Sequence, residues 1–110
     1  MKQNDIYEAY LDPVVGSEQG GRRPVVIVSG NLINENAANI LTCPLTSSLK
    51  YYEGNPILEP TRSNGLGKTS EVMVFQIRSV SKERLKRKIG KISNQQMDQI
   101  KQTLVKLMNY

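Results

Sequence analysis

The sequence predicts an α+β fold that is mainly β: a small antiparallel β structure closed by one C-terminal helix. Three observations carry this expectation. Before residue 93 the apolar residues come in short runs punctuated by Gly, Pro and Asn, which is the pattern of brief strands and turns. Helical spacing appears only at the end, where Met97, Ile100, Leu104, Leu107 and Met108 recur at offsets that fall on one face of a 3.6-residue period. The chain has 110 residues, which suits one core, so residues 1–110 are read as a single domain.

The elements follow in order. Ile6 to Leu11 mixes Ile, Tyr, Ala and Leu and is closed by Asp12-Pro13, a first strand and its turn. Val14 to Arg23 holds three glycines among charged and amide residues, the composition of a long functional loop. Pro24 ends it and holds Arg23 extended, so Arg23 stands at the mouth of the strand Val25 to Ser29. Asn31 to Asn39 is rich in Asn and reads as a loop. Ile40 to Leu45 is a further strand, with Pro44 placing its end at an edge or bulge. Ile57-Leu58 and Val72 to Ile77 supply two more. Ser81 to Lys86 reads as one helical turn, and Lys88 to Ile92 as a last strand interrupted by Gly90. Ser93 and Gln96 form a capping box, so the helix starts there with its apolar face on the sheet.

Composition excludes several functions. The longest aliphatic run, Val25 to Val28, is far short of the roughly 20 apolar residues of a membrane span, and the first residues lack the apolar core of a signal peptide. A cytoplasmic protein is expected. Cys43 is the only cysteine and reads as a small buried thiol, which excludes an internal disulfide and a thiolate metal cluster. With no histidine, the commonest metal ligand and the commonest neutral-pH base are both missing. Asp12 and Glu18 alone make a poor metal site, so neither metal nor cofactor is expected. Asn64 to Ser70 invites comparison with a phosphate loop, but Arg62 stands where that motif needs its first glycine, and the segment reads as a surface turn.

The net charge of +5 is local. Arg78 to Lys91 carries seven basic residues against Glu83, leaving the remainder slightly acidic. Such a strip suits a polyanion, because neutralising phosphates releases condensed counterions, although a solvated face has the same composition.

The most specific signal is the run from Asp12 to Pro24 and the aliphatic strand after it. It resembles the MazF/PemK family of toxin endoribonucleases, whose loop reads D-P-x-x-G-S-E-Q-x-G-x-R-P. The resemblance continues through Cys43-Pro44-Leu45-Thr46, Asn64-Gly65-Leu66, Lys68, Ser70 and Phe75 to Lys82, and so covers nearly the whole chain. Two positions depart from the pattern: the usual Gly-Asp opening is Asn4-Asp5, and Arg22 stands where some members have histidine. The resemblance implies a Src-homology-3-like barrel of the CcdB/MazF/PemK type, a homodimer, and metal-independent cleavage of single-stranded RNA by attack of the 2′-hydroxyl. It also implies a cognate antitoxin with a disordered neutralising tail. Arg23 and Thr46 match the family's catalytic positions, and Glu18 is the nearby carboxylate able to accept a proton or brace Arg23. RNA contacts are expected from Ser17, Gln19, Arg22, Ser47, Gln76, Arg78, Lys86, Arg87 and Lys88, with Tyr51 and Tyr52 as stacking surfaces. A gyrase poison of the CcdB kind and a noncatalytic RNA-binding module are the competing functions, since one fold hosts several activities.

Overall fold

A computed structural model describes residues 1–11 and 21–109. Strands β1 (Asp5–Tyr10), β2 (Arg22–Ile27), β3 (Asn39–Thr46), β4 (Ile57–Leu58), β5 (Ser70–Val72), β6 (Arg78–Ser81) and β7 (Leu85–Lys91) form one sheet, and helices α1 (Asn31–Asn36) and α2 (Asn94–Asn109) complete the fold. The sheet runs β4-β5-β3-β2-β1-β7, with β6 on β3, and every described pairing is antiparallel. It curls into a half-barrel, and the Cα extents of 33 × 31 × 31 Å are nearly isotropic. No helix among the described residues is long and apolar enough to cross a membrane.

β3 organises the sheet because it changes partners along one edge. Its first half pairs with β6 through Asn39 to Thr42, and its end pairs with β5 through Leu45 and Thr46, while β2 occupies the other edge. Pro44 sits between the two partners. A strand interior is expected to reject proline because a ladder bond is lost. Here that position needs no donor, and the Pro44 carbonyl still accepts from the Met73 N–H at 2.9 Å. The proline therefore marks a partner change in a central strand, where the sequence pointed to a strand end.

The curled sheet packs on both faces. One side carries Ile6, Val26, Cys43, Leu45 and Val72 and is covered by Met97 and Ile100 of α2. The other gathers Ala9, Leu11, Val25, Ile27, Ile40, Val80 and Leu85. The capping box forms as expected: Gln96 N–H donates to Ser93 Oγ at 3.1 Å and Ser93 N–H to Gln96 Oε1 at 2.9 Å. The apolar stripe of α2, however, outruns the sheet. Leu107 and Met108 are exposed, beside the exposed Leu41 and Phe75.

Three other expectations change. Asn31–Asn36 is helical rather than looped, because buried Asn34 accepts from Ser29 Oγ at 2.5 Å and donates to the Ser29 carbonyl at 2.8 Å. The run Val72 to Ile77 is not one strand. It breaks at the 3₁₀ turn Val74–Gln76, where the Val74 N–H donates to Asn55 Oδ1. The strand expected from Val25 begins earlier, at Arg22, so both arginines lie inside β2.

The segment Asn64 to Leu66 is a structural turn. Asn64 is buried, its Oδ1 accepts from the N–H groups of Thr61 and Leu66, and its Nδ2 donates to the Glu59 carbonyl. The turn lies on β7 at Gly90, and Gly65 adopts φ +65° against the Ile89 carbonyl.

Candidate active-site cleft

Antiparallel pairing of β2 and β3 places their functional ends together. Val25 opposes Pro44, so the Arg22–Pro24 end of β2 runs toward the Leu45–Thr46 end of β3. Beside them is a cleft of about 290 Å³ lined by Arg22, Arg23, Pro24, Leu45, Ser47, Leu66, Gly67, Lys68 and Ser70. Three cations thus face one small concavity with two hydroxyls and no described carboxylate in its wall. The arrangement suits an anion bearing several oxygens, such as a phosphodiester.

The expected residues divide into groups. Arg22, Arg23 and Ser47 line the cleft. Thr46 is buried just behind Ser47, and its Oγ1 accepts from the Ser48 N–H at 3.1 Å, leaving the hydroxyl proton free to donate. Ser17, Glu18 and Gln19 lie outside the described residues. Gln76 is in the 3₁₀ turn, and Arg78 opposes Thr42, which puts Arg78 roughly 13 Å along β3 from Thr46 at about 3.3 Å per residue. The structure does not bring them into the cleft.

The basic strip is also divided. Glu8 binds Arg22 at 3.3 Å and Arg87 at 3.5 Å, so Arg87 joins the cleft region through a shared carboxylate. Lys88 pairs with buried Asp5 at 3.3 Å, and Lys86 donates from Nζ to the Glu83 carbonyl at 3.1 Å. Each of these three cations of β7 is thus tied to a different partner. Lys68 supplies the cationic group that the expected contact set lacked. Its signal lies in the Asn64 to Ser70 segment, where a basic residue stands two positions before a strand.

Tyr51 and Tyr52 are 70% and 58% exposed on the segment linking β3 to β4. That segment is held from both sides. On the inside, the fully buried Glu71 carboxylate accepts the N–H groups of Lys50 at 2.6 Å, Tyr51 at 2.7 Å and Tyr52 at 3.1 Å, and Asn55 Nδ2 at 2.8 Å. On the outside, Thr103 Oγ1 of α2 donates to the Gly54 carbonyl at 2.6 Å. Burial pushes the Glu71 carboxyl up, but the Asn55, Tyr51, Lys50 and Tyr52 donors outweigh it and hold it below the usual carboxylate range. Tyr51 has φ +55°, uncommon for a bulky residue, and this conformation is what aims three successive N–H groups at one anion.

A family model described as PemK-like, MazF-like toxin of type II toxin-antitoxin system matches residues 2–108. The chain belongs to the PemK/MazF toxin family. It is 35% identical over 101 residues to the endoribonuclease MazF of Staphylococcus saprophyticus, covering 91% of this chain and 84% of that protein. It is 31% identical over 105 residues to the endoribonuclease EndoA of Bacillus subtilis, covering 94% and 90%. The crystal structure of MazF from Deinococcus radiodurans superposes with a TM-score of 0.86 at 23% identity, covering 100% of this chain and 97% of that one. That likeness bears out the mainly β fold with its C-terminal helix.

Proposed function

We propose that this chain is a cytoplasmic, single-domain endoribonuclease toxin that cuts single-stranded RNA, mRNA above all, and so arrests translation and growth. The observation that carries this reading is the gathering of Arg22, Arg23, Lys68 and Ser47 around one cationic cleft, in a chain of this family. Membership of a type II toxin–antitoxin family makes a cognate antitoxin its neutralising partner, with a disordered tail suited to a basic groove, and a homodimer its assembly.

The nucleophile belongs to the substrate. The 2′-oxygen bonds to the neighbouring phosphorus, the bond from phosphorus to the 5′-oxygen breaks, and a 2′,3′-cyclic phosphate and a 5′-hydroxyl result. The 2′-hydroxyl proton passes to a base, for which Glu18 is the candidate, and the departing 5′-oxygen takes a proton from solvent. Arg23 offers a fixed fork of donors to the phosphoryl oxygens as their charge grows. A guanidinium remains charged near neutral pH, so its part is electrostatic. Thr46 donates its hydroxyl proton to a phosphoryl oxygen or orients the 2′-hydroxyl, and Ser47 is placed to share that task. No step calls for a metal ion.

Purified protein incubated with total RNA in EDTA is expected to give fragments with 5′-hydroxyl and cyclic phosphate ends. Cutting that stops in EDTA and returns with magnesium would sink the metal-free reaction. RNA retained but uncut identifies a binding module, and inhibition of gyrase without RNA cleavage identifies the CcdB-like alternative.

Cleft electrostatics give a second expected result. Each phosphate neutralised on a single strand contributes roughly −0.7 to the slope of log K against log salt. Lys68→Ala should reduce the magnitude of that slope by about this amount. Lys88→Ala should leave it unchanged, because the Lys88 ammonium already pairs with Asp5. The reverse pattern in filter-binding titrations would move the RNA onto β7.

A further inference from the structure

Glu71 is a buried ionised group with no part in the proposed reaction, and its place in the sheet is specific. It opposes Thr46 across β3 and β5, and its neighbour Ser70 lines the cleft. Its four donors all come from the segment that carries the two exposed tyrosines. A carboxylate taken wholly out of water is retained only where its oxygens are satisfied, and three of the four donors here are backbone N–H groups that have no other described partner. An anion-binding concavity of successive N–H groups commonly captures a ligand phosphate. Here the protein fills it with its own side chain, which turns the concavity into a clamp.

We infer that Glu71 is a positioning residue for RNA specificity: it fixes the 50–55 segment so that Tyr51 and Tyr52 stand as a preset stacking surface for bases beside the cut. This rests on the proposed RNA-cleaving function. The chemistry follows from the geometry. Unclamped, the segment would have to be ordered when RNA binds, and that cost would appear in substrate affinity rather than in the chemical step. Asn55 is part of the same device. Its Nδ2 serves Glu71 while its Oδ1 accepts from the Val74 N–H at 3.3 Å, tying the segment to the 3₁₀ turn.

The test uses the full chain and an RNA oligonucleotide containing a site that the wild-type protein cuts in total RNA. Glu71→Gln keeps an acceptor for the Lys50 and Tyr51 N–H groups but turns an amide donor toward Asn55 and Tyr52. It should raise KM about tenfold with kcat within about twofold, since base–aromatic stacking contributes at that scale. In a Tyr51→Ala/Tyr52→Ala background the same change should have no further effect on KM. Adding Asn55→Asp to Glu71→Gln gives the new amide an acceptor and should restore most of the affinity. Amide exchange at Lys50, Tyr51 and Tyr52 should speed up in Glu71→Gln while the amides of β2 and β3 keep wild-type protection. An unchanged KM, a loss confined to kcat, or an equal KM effect without the tyrosines would overturn the inference. If Glu71→Gln does not fold, Asn55→Ala, which removes one of the four donors, carries the same comparison with a smaller KM change expected. Failure of the functional reading is separate: it appears as wild-type protein that cuts no RNA.

Discussion

Replacing the ribose 2′-hydroxyl at the cut position by hydrogen is expected to abolish cleavage while leaving binding nearly intact. No protein group in the proposed reaction can take the place of that oxygen. The phosphate contacts proposed for Arg22, Arg23 and Lys68, which line the cleft, do not depend on it, so affinity should survive. The matching protein change is Arg23→Ala, for which a rate loss of about 100 to 1,000-fold is expected from removing one preorganised donor to a developing oxyanion. Arg23→Lys should recover little, because an ammonium lacks the two-pronged contact. Arg22→Ala should cost only modestly, since Arg22 is already shared with Glu8 at the cleft edge. Rates on a single defined oligonucleotide and its deoxy-substituted twin decide the matter. Equal cutting of both would disprove attack by the 2′-oxygen, and full activity in Arg23→Ala would show that another group carries the charge.

The largest effect on stability is expected at Gly65. A Cβ there would lie 2.2 Å from the Ile89 carbonyl oxygen at φ +65°, so the substitution is both crowded and conformationally strained. The left-handed conformation costs roughly 1–2 kcal/mol and overpacking roughly 1–3 kcal/mol. Gly65→Ala should therefore lose about 2–5 kcal/mol, a fall in Tm of roughly 10 °C or more. Gly67→Ala is the control, since nothing lies within 4 Å of its added carbon and its Tm should stay close to wild type. Thermal melts of the two variants test the claim that the Asn64 to Leu66 turn is anchored through β7. Similar melting temperatures would show that the turn yields instead of straining.

Much of the fold was legible because local chemistry and tertiary structure agree. Ser93 and Gln96 announce the helix start with atoms that meet in the folded chain. Most strands were legible, with shifted ends, because apolar runs mark what is buried rather than where pairing stops; β6 was not, since Arg78–Ser81 holds only one apolar residue. The remainder was hidden for separable reasons. The helical segment Asn31–Asn36 has poor intrinsic propensity and is held by Asn34 bonding to Ser29, a contact that spacing alone does not reveal. The stripe on α2 predicts that Leu107 and Met108 share a face with Met97, but periodicity cannot say where the sheet beneath them ends. At the cleft, Arg23 was legible through the motif, and Arg22 and Ser47 as neighbours of its matched positions. Lys68 and Glu71 carry no such local signal of a site. A single acid in an aliphatic strand is a signal of a buried, satisfied charge, yet its partners are backbone amides, which any sequence supplies.

Cys43 gives the β3 strand an internal reporter. Its thiol is buried opposite Val26, and loss of hydration pushes its pKa up to about 12, so the reactive thiolate is scarce in the folded protein. Alkylating reagents and peroxide therefore meet an inert surface while the sheet is closed. Because β3 is gripped by β2, β5 and β6 together, exposing this sulfur means parting the centre of the sheet rather than fraying an end. The rate of thiol labelling thus counts the openings of the sheet centre, and antitoxin or RNA held in the cleft would slow that count without touching the cysteine.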